Sequence, residues 1–118
     1  MSTQEIANNF YALAQQGQWN EILDKYFSED ASSVEPAHAQ GFPSVKGLDN
    51  IRAKGKKWAD MVEAVHGGYC KEPQVAGNFF SCAMGMDITM KGQGRQQVDE
   101  IAIYEVKDGK IVLEQFFY

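Results

Sequence analysis

Asp108-Gly109-Lys110-Ile111-Val112-Leu113-Glu114-Gln115-Phe116-Phe117-Tyr118 reads as a strand entered through a tight turn, and it is the last of three. Asp-Gly is a favoured two-residue hairpin pair because both positions tolerate positive φ. Working back from it, residues 95–106 and 79–90 are rich in β-branched, aromatic and methionine side chains. They are separated by the hairpin turn Lys91-Gly92-Gln93-Gly94. Residues 79–118 therefore form a meander of long antiparallel strands.

The first half of the chain has a different period. Ser2-Thr3-Gln4-Glu5 has the spacing of a capping box, and Ile6, Phe10 and Leu13 follow on one stripe before Gly17 stops the helix. Trp19, Ile22, Leu23, Tyr26 and Phe27 predict a second short helix. Ser32-Ser33-Val34-Glu35 is extended and ends at Pro36, which cannot donate to a ladder. Residues 37–46, with Gly41 and Pro43, read as a loop long enough to carry function. Gly47 opens a third helix with Asp49 in its first turn, and Ile51, Gly55, Trp58, Val62 and Val65 share a face that places Trp58 in a helix-to-sheet core. His66-Gly67-Gly68 ends that helix. A short strand over 69–72 and a turn at Ala76-Gly77-Asn78 lead into the meander. The class is α+β, with three N-terminal helices packed on a curved antiparallel or mixed sheet that encloses a pocket.

The 118 residues make one domain, 1–118, and a 44% hydrophobic content supplies its core without disulfide staples. Cys70 and Cys82 thus predict a reducing, cytoplasmic setting. A net charge of −5 argues against nucleic acid and against an anionic membrane. Arg52, Lys54, Lys56 and Lys57 are the one basic cluster and read as a solvated helix face, with Lys54 at the edge of the buried stripe. No signal peptide and no spanning segment is expected. With no Cys/His cluster and no phosphate loop, neither a metal nor a cofactor is expected.

The Gly17 turn between amphipathic helices, the strand ending Val34-Glu35-Pro36, the helix start Gly47-Leu48-x-x-Ile51 and the terminal Gly109-Lys110-Ile111 strand resemble the nuclear transport factor 2-like superfamily. Ser33-Val34-Glu35-Pro36, Ile51-x-x-Lys54 to Trp58, Val65-His66-Gly67 and Asp99-Glu100-Ile101-Ala102-Ile103-Tyr104 are similar to its SnoaL-like, polyketide cyclase-like group. The resemblance implies a cone fold over nearly the whole chain. It leaves activity open, because the superfamily holds isomerases, dehydratases, hydrolases, cyclases and members without turnover.

The resemblance to ketosteroid isomerase-like members puts Glu35, just before Pro36, where a proton-transferring carboxylate stands. The chemistry asks for a carboxylate whose proton affinity is raised by an apolar wall, which Phe10, Trp58 and Met84 could supply. The bland alternative is a strand-end glutamate in solvent. The isomerase's oxyanion-binding tyrosine falls at Phe10 and its partner acid at Ala102, so the donors for a dienolate are missing and a steroid isomerase is not expected. Glu100 shares parity with Ala102 and Tyr104 and faces the pocket if they do; a register slip of one would send Asp99 inward instead. In the last strand Glu114, Phe116 and Tyr118 form the corresponding pocket-facing set. His66 is either a charged partner for a pocket carboxylate or a helix-end residue capping carbonyls. Cys82, Met84, Met86, Ile88 and Met90 alternate on one face and read either as a pliable ligand wall or as core filler.

Catalytic candidates are thus Glu35, Glu100 and His66. Substrate contacts are expected from Phe10, Lys54, Trp58, Met84, Met86, Tyr104, Glu114 and Tyr118. The leading expectation is a small hydrophobic or polyketide-like ligand and acid/base chemistry; the alternative is a non-catalytic binding or interaction module. A homodimer is expected because both faces of residues 95–106 carry apolar side chains and one domain core covers a single face.

Overall fold

The computed structural model describes residues 1–39 and 42–118; Gln40 and Gly41, part of the expected 37–46 loop, lie outside them. Helix α1 (Thr3–Gln15) starts at the reciprocal Ser2–Glu5 capping box, and α2 (Trp19–Tyr26) follows the Gly17 turn. Phe27 opens β1 (Phe27–Val34) and does not close the second helix, so the first strand is twice as long as its four-residue sequence signal. Within the expected loop, β2 (Val45–Lys46) pairs with Ser32 and Ser33 of β1.

Helix α3 (Leu48–Met61) then passes directly into β3 (Val62–Cys70). The expected helical stretch from Val62 to His66 is therefore strand. Val62 and Val65 fit the helical stripe and a strand equally well. Twelve-residue β5 (Phe79–Met90) settles the choice by offering β3 a free edge, from Met90 opposite Val62 to Met84 opposite Cys70. The remaining elements are β4 (Gln74–Ala76), β6 (Gly94–Lys107) and β7 (Lys110–Phe117). Asp108 and Gly109 both have positive φ, as the two-residue hairpin between β6 and β7 requires.

The sheet order is β2-β1-β7-β6-β5-β3, with β4 also on β5. All pairings are antiparallel except β1 with β7, which makes the sheet mixed. The three helices cover its inner face. Ile6, Phe10, Ile22 and Ile51 from the helices meet Phe80, Tyr104 and Ile111 from the strands, all at most 5% exposed. Burying a side chain of this size contributes about 1.5–3 kcal/mol. On the outer face Gly85 lets Tyr69 cross β5 and donate to Asp99 on β6 at 2.7 Å; a Cβ at 85 would lie 2.6 Å from both side chains.

One irregularity aims the side chains of a strand that builds the site. Between Glu105↔Leu113 and Val106↔Ile111, β7 carries one extra residue. That bulge turns both Ile111 and Glu114 inward, three positions apart, where an unbroken pleat would put them on opposite faces. No helix among the described residues is long and apolar enough to cross a membrane.

Candidate functional site

Ala31 and Ser33 face inward from β1, both with no exposed surface, and Glu35 continues their parity just past the strand end. The Glu35 backbone N–H donates to Ser44 Oγ at 2.9 Å, tying this corner to the returning loop. One turn after buried Ile51, α3 delivers Lys54 to the same spot. Its Nζ donates to Glu35 Oε2 at 2.8 Å and to Ser33 Oγ at 2.7 Å, with both charged side chains about nine-tenths buried (11% and 10% exposed). The ammonium also stands 5.7 Å from the centre of the Phe116 ring.

From the sheet come Glu100 on β6 and Glu114 on β7. Ser33 Oγ donates to Glu114 Oε1 at 2.8 Å, and Tyr118 OH donates to Glu35 Oε1 at 2.8 Å. A continuous hydrogen-bonded path therefore runs Tyr118–Glu35–Lys54–Ser33–Glu114. Glu100 stands beside it, with Met84 opposite on β5.

Three carboxylates and one ammonium share this space, so the charge balance falls to the protons. Burial raises the Glu100 carboxyl to about 7, with repulsion from Glu35 and Glu114 adding to it and Lys54 opposing. Burial likewise raises Glu114 to about 7, opposed by the Ser33 hydrogen bond and by Lys54. Burial and then the hydrogen bond to Glu35 raise the Tyr118 phenol, keeping it a donor. Values of about 7 put both glutamates in the range that acid/base chemistry near neutral pH would call for.

Not every expected residue belongs to this cluster. Glu100 faces inward with Ala102 and Tyr104, while Asp99 faces out toward Tyr69. Phe10 is 1% exposed and lies with its ring centre 5.3 Å from Phe80 and 4.7 Å from Tyr104, and Tyr104 is 2% exposed. Both fill the closed end of the cone. Met84 is buried between the two ends, and Met86 is partly exposed opposite Val98. Trp58 is partly exposed and stands edge-on to Phe42 at 5.4 Å, at the rim and outside the helix-to-sheet core. His66 lies on β3, where its ring bonds Thr89 at 2.7 Å on the exposed side, so it neither caps a helix nor joins the carboxylates. The reason is the α3–β3 boundary: once Val62 onward is strand, residue 66 moves away from the third helix.

Ser33 and Ser44 are the residues that sequence reasoning passed over. The signal for Ser33 was a polar side chain at an inward strand position, two residues before Glu35. Among the described residues no group of three or more potential metal-ligating side chains is placed to hold an ion. Open depressions beside Met1 and Gly109, and beside Asp24 and Arg52, are bordered by none of the clustered glutamates.

A protein from Mesorhizobium loti described as a candidate SnoaL-like polyketide cyclase is 35% identical over all of both chains, with a TM-score of 0.93. A Catenulispora acidiphila protein with a ketosteroid isomerase-like fold, solved with trimethylamine, is 19% identical over 97% of this chain and 85% of that one, with a TM-score of 0.73. TerC, co-crystallised with polyporic acid, is 16% identical over 98% of this chain and 90% of that one, with a TM-score of 0.76. No curated protein matches the chain at a significant level. The family described as the SnoaL-like domain matches residues 1–118, and with the α+β cone described above this chain belongs to that family.

Proposed function

We propose that the protein moves protons on a small hydrophobic, carbonyl-bearing molecule of polyketide-like character, as an isomerase, cyclase or dehydratase would. One observation carries the reading: Glu114, buried, and Glu100, partly buried, share the space of Lys54 and have proton affinities raised to about 7. In that range one glutamate as carboxylate can take a proton from carbon next to a carbonyl, while the other, protonated, donates to the oxygen that gains charge. Glu35 stands where its place before Pro36 implies, just past β1 with its carboxylate in the cluster, and the role read for it here is a different one. Oε2 accepts from Lys54 and Oε1 from Tyr118, so its role is to orient those donors. Phe10 and Ala102, both in the apolar core, offer no donor to an enolate, and that task falls to Glu100, Glu114 and Lys54. The Mesorhizobium loti relative, described as a candidate polyketide cyclase, supports the substrate class.

The test is hydrogen–deuterium exchange at the acidic carbon of cyclic 1,3-diketone probes, followed by NMR in buffered D2O. Catalysed exchange that is lost in Glu100→Gln and Glu114→Gln is the expected result. Binding of the same probes without accelerated exchange would favour a non-catalytic ligand-binding module. The aromatic filling of the closed end, by Phe10, Phe80 and Tyr104, is the feature that agrees with that second reading.

A further inference from the structure

We infer that Ser33 is a positioning residue of this site: held between Lys54 and Glu114, its hydroxyl fixes which oxygen of Glu114 accepts and ties that buried carboxyl to the Glu35–Tyr118 pair at the rim. The assignment gains its catalytic meaning from the proton-transfer reading, but its test does not depend on turnover. An ammonium has three donors and no lone pair, so at 2.7 Å from Lys54 Nζ the Ser33 oxygen must accept. Its one hydrogen is then directed to Glu114 Oε1, 2.8 Å away. The polarity of the path is set by Lys54 and cannot reverse while Lys54 is charged.

Packing alone does not call for this hydroxyl. Ala31, the preceding inward residue on β1, is as completely buried as Ser33 and carries only a methyl group. What residue 33 adds is a donor to a carboxyl that is 9% exposed. Because Oε1 accepts in either protonation state, a proton on Glu114 is carried at Oε2. The ionisable groups facing Glu114 are Lys54 from α3, Glu35 beyond β1, and Glu100 and Tyr104 from β6. Lys54 alone among them favours the carboxylate, and Ser33 is its hydrogen-bonded link to it. Polarised by the ammonium, the hydroxyl is a stronger donor than a free serine would be.

The experiment is carboxyl-carbon NMR titration of the full chain labelled at glutamate, in the wild type, Ser33→Ala, Ser33→Thr, Lys54→Met and the Ser33→Ala/Lys54→Met pair. Ser33→Ala should move the Glu114 midpoint upward by about one pH unit, the size expected for loss of one hydrogen bond to a charged group. Ser33→Thr, which keeps the hydroxyl, should stay close to the wild type. Lys54→Met should also raise the midpoint, and by less once the Ser33 hydroxyl is gone. An unmoved midpoint in Ser33→Ala would overturn the assignment. So would a Lys54→Met effect of equal size with and without the hydroxyl, since that is what charge acting directly through space produces. If Ser33→Ala does not fold, Ser33→Cys decides the matter: its weak donor should raise the midpoint, and no rise overturns the assignment. A Glu114 midpoint that moves as described, with no carbon–hydrogen exchange in any probe, keeps the Ser33 role and removes the catalytic reading.

Discussion

Tyr104 and Glu100 lie four residues apart on the same face of β6, yet they belong to different chemistries. Tyr104 stands in dry aromatic packing against Phe10 and Phe80, while Glu100 faces two other carboxylates and a lysine. Strand geometry does not separate them. What differs is the helix above: α1 lowers Phe10 onto one end of the cone, and α3 lowers Lys54 onto the other. The same sheet face is core where its cover is apolar and site where its cover is charged. The packed aromatic end contributes to the stability of the fold.

The contrast is sharpest in stability. Phe10→Ala should destabilise by about 3–5 kcal/mol, read from the denaturant midpoint, because the vacated space is walled by Phe80 and Tyr104 on the sheet. A loss below about 1 kcal/mol would mean that the closed end is loosely packed and open to ligand.

The open end should work against stability as pH rises. Glu100 and Glu114 are raised to about 7 from an ordinary 4.5, so between those values the folded chain binds more protons than the unfolded one. Stability should therefore be greatest below about pH 4.5 for these two groups, fall as pH rises to about 7, and level off above it. For Glu114 the full effect is on the order of 3 kcal/mol. Glu114→Gln, which still accepts from Ser33, should be more stable than the wild type at pH 8 and should flatten this slope. An unchanged slope would show that Glu114 is ionised at little cost and that its end of the cone is wet.

A smaller effect is expected at the rim. Trp58→Ala should cost about 1 kcal/mol, since the indole is partly exposed and stands against Phe42 outside the core. A cost near that of Phe10→Ala would erase the distinction between rim and core. The outer sheet face supplies the last comparison. Ile101 and Phe117, register partners on β6 and β7, are 51% and 47% exposed, and a second copy of the chain is expected to cover them. Sedimentation at tens of micromolar should show a dimer that Ile101→Asp dissociates, with little change in the carboxyl titrations. A wild-type monomer would contradict this.

Sequence reasoning reached the two ends unequally. The meander was legible because a period of two, Asp108-Gly109 and the Gly92–Gly94 turn all agree on its strands, and the parity of Glu100 followed from Ala102 and Tyr104. The α3–β3 boundary was not, because Val62 and Val65 continue a helical stripe as readily as they begin a strand; only the long free edge of β5 decides between them. That boundary is why His66 was expected in the site and lies outside it. Lys54 was expected at the edge of the buried stripe and Glu35 at the strand end, but the part of Ser33 depends on an ammonium and a carboxylate meeting it from two distant segments. A lone inward serine hints at such a contact without naming its partners.

The central claim is that the open end keeps two of its carboxyls poised near neutrality, and carboxyl-carbon NMR titration of the unmodified chain tests it most directly. Glu100 and Glu114 should titrate with midpoints near 7, each responding to ionisation of the other as close carboxyls do. If both titrate near the ordinary 4.5, the cluster is a solvated set of charges and the acid/base account of this protein is contradicted.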